Sequence, residues 1–148
     1  MKQREIKFRG LTSKGIWEYG LLFYSHGTGE FKISRSNGWV PSYNNPDEGE
    51  STEYYNIDSK TVGQFTGLKD NNGKEVFEGD IIQGHPAINV YNTKIKSEVF
   101  FRTKEGRWVA RTYFDDHHQD EYLFEALKPI HDTKIIGNIH QNPELLKE

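Results

Sequence analysis

Turn-forming residues interrupt the stretch from Thr61 to Ile82 so often that it constrains the fold more than any other part of the chain. Gly63, Gly67, the pair Asn72-Gly73 and the triplet Glu78-Gly79-Asp80 leave no run long enough for a packed helix. Asn72-Gly73 is a short-hairpin signal, because Asn and Gly tolerate the positive φ that tight hairpin turns demand. It joins Leu68-Lys69 to Lys74-Glu75-Val76. Glu78-Gly79-Asp80 is a second turn that delivers Ile81 and Ile82 into a buried strand. Gly63 and Gly67 mark bulges or close backbone approaches. The stretch therefore predicts strand, turn, strand, turn, strand.

The same alternation runs through the rest of the chain. Ile6 and Phe8 alternate with Glu5, Lys7 and Arg9 in a first strand that ends at Gly10. Thr12 to Gly15 turns the chain into Trp17, Tyr19, Leu21 and Phe23, which share one face of a second strand, so the chain opens on a hairpin. His26 to Gly29 turns again, and Phe31 and Ile33 flank Lys32 in a third strand. Ser36-Asn37-Gly38 is a further turn, followed by Trp39-Val40 and then a polar, Pro- and Gly-containing loop over 41–51. Tyr54, Tyr55 and Ile57 resume the pattern.

After His85-Pro86 breaks the strand, Ile88 and Val90 alternate, as do Ile95, Ser97, Val99 and Phe101. Thr103 to Gly106 reverses the chain into Trp108, Ala110, Thr112 and Phe114, a second hairpin. Tyr122 to Leu127 fits a strand or a short helix equally. Ile135 to Ile139 is a last strand. Asn142, Pro143 and Glu144 supply an N-cap, a first-turn Pro and an acidic first turn for a terminal helix.

Many short strands separated by frequent turns place the chain in the all-β class: antiparallel sheets forming a sandwich or partly open barrel, with a short C-terminal helix. The length of 148 residues fits one domain over 1–148. Within it there is room for two β lobes, 1–60 and 61–148, joined at the 61–82 stretch. The hydrophobic fraction is only 34% while the aromatic fraction is 14%, so aromatic rings must build much of the core.

Charge and cysteine content exclude several functions. With 19 Lys and Arg against 22 Asp and Glu, the chain is not a general electrostatic binder of DNA. It has no Cys, which removes disulfides, thiolate metal sites and a Cys nucleophile. The segment from Met1 to Arg9 has no apolar run of signal-peptide length, and no run is long enough to span a bilayer. The expected location is the cytoplasm, with no membrane partner.

Chemical signatures are weak throughout. Asp115-Asp116-His117-His118 with Asp120 and Glu121 offers zinc or manganese ligand types. Adjacent His residues in extended chain point opposite ways, however, so the block reads as a solvated loop. His131, Asp132 and His140 join such a site only if the fold brings them there, and His26 and His85 read as turn residues. Glu75, Glu78 and Asp80 suggest two-metal phosphoryl transfer, but an Asp after Gly commonly bonds amides of its own turn. Asp70-Asn71-Asn72-Gly73 fails the calcium-loop spacing, since Ile81 stands where the twelfth-position Glu is needed. There is no phosphate-cradling Gly loop and no nucleophile elbow.

Nucleic acid has a better case. Lys2, Arg4, Lys7 and Arg9 lie at the start, and Lys94, Lys96, Arg102, Arg107 and Arg111 join Phe100 and Tyr113 across the second hairpin. Basic and aromatic residues on one sheet face hold single strands, although Glu5, Glu98 and Glu105 dilute the field.

From Thr61 to Ile82 the residues fit a pattern of the type T-V-G-Q-[FY]-T-G-L-x-D-x-x-G-K-x-[IV]-[FY]-E-G-D-[IV]-[IV]. Arg4 to Gly10 near the start agrees with the same family, as does Ile135-Ile136-Gly137-Asn138-Ile139 followed by Asn142 to Leu146. In these three blocks the chain resembles the YopX family of bacterial phages and prophages. The resemblance implies a phage or prophage origin and self-assembly, and it carries over no catalytic residue and no cofactor. Gly63, Gly67, Asp70, Asn72, Gly73, Gly79, Asp80, Gly137 and Asn138 are its structural positions. Residues 26–53 and 84–132 depart from the pattern.

The expected function is a non-catalytic accessory protein that assembles with itself or binds a phage or host protein. Trp39, Tyr43, Tyr54 and Tyr91 are candidate interface residues. The alternatives are a single-stranded nucleic-acid-binding module and, third, a metal-dependent enzyme.

Overall fold

A computed structural model describes residues 3–35, 54–85 and 93–147. The strand at Trp39-Val40, the 41–51 loop, the alternation at Ile88 and Val90, and the aromatics Trp39, Tyr43 and Tyr91 lie outside the described residues. The chain is mainly β, with antiparallel sheets that do not close into a barrel. It divides into two compact units, Met1–Phe65 and Thr66–Glu148. No helix among the described residues is long and apolar enough to cross a membrane.

The first unit contains β1 (Phe8–Leu11), β2 (Trp17–Ser25), β3 (Glu30–Ser34), β4 (Tyr54–Asn56) and the start of β5 (Gly63–Lys69). They lie in the order β4-β3-β2-β1-β5. β1 starts at Phe8, later than the alternation from Glu5 suggests: Ile6 is 58% exposed and has no buried face to join. Leu11 opposite Trp17 closes the opening hairpin, with the Thr12 N–H donating to the Ile16 carbonyl at 2.9 Å.

Among the described residues of this unit, Ile33, Ile57 and Phe65 are the buried apolar side chains. Charged groups share its interior. Arg9 is buried with its guanidinium 4.4 Å from the Trp17 ring centre, and buried Glu18 receives Arg35 Nε at 2.8 Å. Thr61 fastens the 3-10 turn Ser59–Thr61 to β1: its hydroxyl donates to the Asp58 carbonyl at 2.7 Å and accepts from the Leu11 N–H at 2.8 Å.

The second unit takes up β5 from Thr66 and adds β6 (Glu75–Phe77), β7 (Asp80–Gly84), β8 (Ile95–Arg102), β9 (Arg107–Tyr113), β10 (His118–Tyr122), α1 (Leu123–Ala126) and β11 (Lys134–Asn138). Its five-stranded sheet has the order β10-β9-β8-β7-β11. Val76, Ile82, Val99, Ala110, Leu123, Ala126 and Leu127 form the core, with Leu68, Trp108 and Ile135 packed against it. The Leu123 and Ala126 side chains of α1 are buried, so this single turn closes one side of the core.

Three local expectations change here. Asn72 does not take a positive φ; only Gly73 does, at 78°. The loop is the longer hairpin form, a turn ending in a left-handed Gly, because Asp70 organises it: Asp70 N donates to the Lys74 carbonyl at 2.9 Å. The block expected as a solvated loop contains β10, which pairs with β9 from His118 opposite Tyr113 to Tyr122 opposite Val109. Its charged residues can form a strand because the carboxylate of Asp120 meets an arginine across the ladder. The terminal helix is one 3-10 turn, Pro143–Leu146, whose N-cap residue Asn142 turns its side-chain oxygen back to the Asn138 N–H at 3.3 Å.

Candidate functional site

The nine structural positions have local explanations. Asp70 is buried; its Oδ1 accepts from the N–H groups of Asn72 and Lys74, and its Oδ2 from Ile135 N–H, all at 2.9 Å. Gly67, Gly73 and Gly79 hold φ near 80°, a conformation that costs other L residues about 1–2 kcal/mol. Buried Asp80 accepts from Phe77 N–H at 2.8 Å. Gly137 follows a break in the β7–β11 register, and a Cβ there would lie 2.6 Å from Asn142 Oδ1. Asn138 Oδ1 accepts from His140 N–H and Gln141 N–H at 3.1 and 3.0 Å. Gly63 is buried and pairs with Arg9.

Metal ligation gathers no support: no three His, Asp or Glu side chains converge among the described residues. His117 bonds Asp116 and stacks on Phe114, with ring centres 4.7 Å apart. His118 is exposed on β10.

The β8–β10 face gathers the most chemistry. Successive side chains of a strand point to opposite faces. In the observed register Glu98 opposes Arg111, which opposes Asp120, and Arg102 opposes Arg107. Phe100 and Tyr113 therefore share a face with three arginines, as the spacing on β8 and β9 predicts, and Tyr122 joins them from β10.

Each of these arginines meets a carboxylate. Arg111 Nε and Nη2 donate to the two oxygens of Asp120 at 2.8 and 3.0 Å. Arg102 reaches Asp120 at 3.5 Å and Glu105 at 2.9 Å, and Arg107 reaches Glu105 at 3.8 Å. Arg111 also lies 4.4 Å from the Phe100 ring centre, and Arg107 lies 4.4 Å from that of Tyr122.

Protonation states follow from these contacts. The hydrogen bond from Arg111 holds the Asp120 carboxyl below the usual carboxylate range, and the same bond raises the Arg111 pKa. Burial, and then its hydrogen bond to Glu98 Oε2 at 2.6 Å, push the Tyr113 phenol up to about 12. At neutral pH the face is a fixed mosaic of both charge signs with aromatic rings between them.

On this face Tyr122 is 51% exposed, and Phe124 and Ile130, in the segments that follow β10, are 64% and 83% exposed. In the sequence Asp120 counts only as a metal-ligand type in a block read as a loop, and these apolar residues are left out because they belong to a short run of undecided type or to the turn after it. The one available signal was the alternation of His118, Asp120 and Tyr122, which a strand places on one face.

Comparison with protein-family models matches residues 16–147 to the family described as YopX protein. The crystal structure of protein EF1440 from Enterococcus faecalis is similar over 97% of this chain and 99% of that one, at 24% sequence identity and a TM-score of 0.49. No curated protein matches the chain. The family match runs from the residue before β2 to the terminal 3-10 turn, and the chain belongs to the YopX family.

Proposed function

We propose that this is a non-catalytic accessory protein of phage or prophage origin, acting in the host cytoplasm by assembling with itself or with a phage or host protein. The observation that carries the reading is the balanced Arg, Tyr, Phe and carboxylate face of β8–β10, and the same unit also exposes Phe124 and Ile130. Arginine and aromatic residues are enriched where proteins meet. A surface carrying both charge signs is complementary to another mixed protein surface, including its own copy.

The test is sedimentation across a wide concentration range, with affinity isolation from phage-infected cells identified by mass spectrometry. Self-association or a co-purifying protein is expected, and the Phe124→Ser/Ile130→Ser double variant weakens it without unfolding the chain. A monomer at every concentration that recovers no protein overturns the reading.

A second reading, a single-stranded nucleic-acid module, draws on the placement of Arg102, Arg107 and Arg111 with Phe100 and Tyr113 on one face. A phosphate backbone would have to displace Asp120 and Glu105 from those arginines, which disfavours it. It requires retardation of single strands at low salt that weakens steeply as salt rises.

A further inference from the structure

Asn72 and Gly73 stand at the tip of the β5–β6 turn, and both are exposed. Asn is among the chemically labile residues, and a following glycine leaves its own backbone nitrogen unhindered, because it has no Cβ. That nitrogen can close a five-membered ring on the Asn72 side-chain amide. The Gly73 nitrogen bonds to Asn72 Cγ, the bond from Cγ to the side-chain nitrogen breaks, and the Gly73 proton ends on the departing ammonia. Water then opens the ring. Opening at Cγ gives aspartate, whereas opening at the main-chain carbonyl leaves Gly73 bonded to Cγ as isoaspartate, with a backbone longer by a methylene. Overall the residue exchanges ammonia for water, and no oxidant or reductant is needed.

The structure places two obstacles in front of this reaction, and both belong to Asp70. The Gly73 N–H, which must lose its proton before the nitrogen can attack, donates to the Asp70 carbonyl at 3.0 Å. The amides on either side of it, Asn72 N–H and Lys74 N–H, both donate to Asp70 Oδ1 at 2.9 Å. A carboxylate bound so close opposes a developing amide anion between them. The turn therefore has to open before it reacts.

Isoaspartate would in turn prevent it from closing. The added methylene falls between Asn72 N and Lys74 N, so the two donors can no longer meet one oxygen, and the new carboxylate repels that of Asp70. The same carboxylate holds Ile135 N–H at 2.9 Å, and Asn71 N–H holds the Thr133 carbonyl at 3.0 Å. We propose that Asn72 is a modification site, converted to aspartate and isoaspartate at a rate gated by Asp70, and that the isoaspartate form loosens the turn from β11. The conversion needs no partner, so it stands or falls separately from the assembly reading.

The test holds the full chain folded in mildly alkaline buffer and, in parallel, unfolded in guanidinium chloride. Peptide mapping with electron-transfer fragmentation follows position 72 and separates isoaspartate from aspartate. Chemistry that proceeds through an opened state tracks the population of that state, so conversion is expected at least about tenfold slower in the folded chain than in the unfolded one. Folded Asp70→Asn is expected to convert about tenfold faster than folded wild type. Denaturant below the unfolding transition opens the same turn in the wild type, so the gate is also read without a variant. The chain with isoaspartate at position 72, isolated by ion exchange, is expected to exchange its Ile135 amide hydrogen about tenfold faster than the unconverted chain. Asn72→Asp, which adds the charge without the methylene, should have a smaller effect. Equal conversion rates in folded and unfolded wild type, no isoaspartate at position 72 in folded Asp70→Asn or in wild type at sub-transition denaturant, or unchanged Ile135 exchange after conversion overturns the proposal.

Discussion

Asp70 and Asp120 are both largely covered aspartates of the second unit, yet their carboxylates do different work. Asp70 binds three backbone N–H groups, from Asn72, Lys74 and Ile135. Asp120 binds side chains, Arg111 and Arg102. A carboxylate that binds backbone amides commits its charge to chain geometry, and no partner can engage it without dismantling the turn. One that binds arginines remains part of a surface that another molecule can touch. The contrast separates the Thr66–Ile82 region, which builds the fold, from β8–β10, which presents a face.

The largest expected effect tests the first half of that contrast. Asp70→Ala strands three N–H groups in a covered site and should cost about 3 kcal/mol in urea unfolding. Asp70→Asn, which keeps the shape and one acceptor oxygen, should cost about half as much. A loss for Asp70→Ala no greater than that for Asp120→Ala would erase the distinction.

Gly73→Ala comes next. Its φ of 78° is the only strain, since a Cβ there meets open space, so a loss of about 1 kcal/mol is expected. The β8–β10 face should be unaffected, as read by the ring resonances of Phe100 and Tyr122.

Asp120→Ala should cost about 1 kcal/mol, and less at high salt, because the pair it breaks lies near the surface. Its pH signature is specific. The folded-state pKa of Asp120 is depressed, so its contribution is present above the unfolded carboxylate pKa of about 3.9 and disappears as pH falls through the lower folded value. The difference in unfolding free energy between wild type and Asp120→Asn should therefore shrink on acidification below about pH 4.

The smallest effect belongs to Tyr113. Its raised pKa stabilises the fold at pH values below the unfolded phenol pKa of about 10. That contribution is lost as pH climbs toward about 12. Tyr113→Phe should change neutral-pH stability by less than about 0.5 kcal/mol, while removing a late-titrating phenol from the alkaline absorbance curve. Glu98→Gln should move that phenol to lower pH.

The hairpins were legible in the sequence because two-residue alternation and glycine turns are local signals: Trp17 to Phe23, Ile95 to Phe101 and Trp108 to Thr112 announce themselves. The basic and aromatic face was legible for the same reason, since parity alone puts Phe100, Arg102, Arg107, Arg111 and Tyr113 together. What neutralises that face was not. Asp120 meets Arg111 only through a cross-strand register, and the charges of His118 to Glu121 hid the strand that carries it. The first strand failed in the opposite sense, because alternation at Glu5 to Lys7 continues past the end of the ladder.

The bond between Asp70 and Ile135 spans 65 residues of chain. During synthesis at about 5–20 residues per second, the carboxylate of the β5–β6 hairpin waits several seconds before the strand that completes its coordination emerges. For that interval the carboxylate has only the Asn72 and Lys74 N–H groups of its own turn. β11 then supplies the third N–H group to Asp70 and pairs β7 on its second edge. The second unit thus has a built-in order of assembly, with its first-made turn completed by its last-made strand.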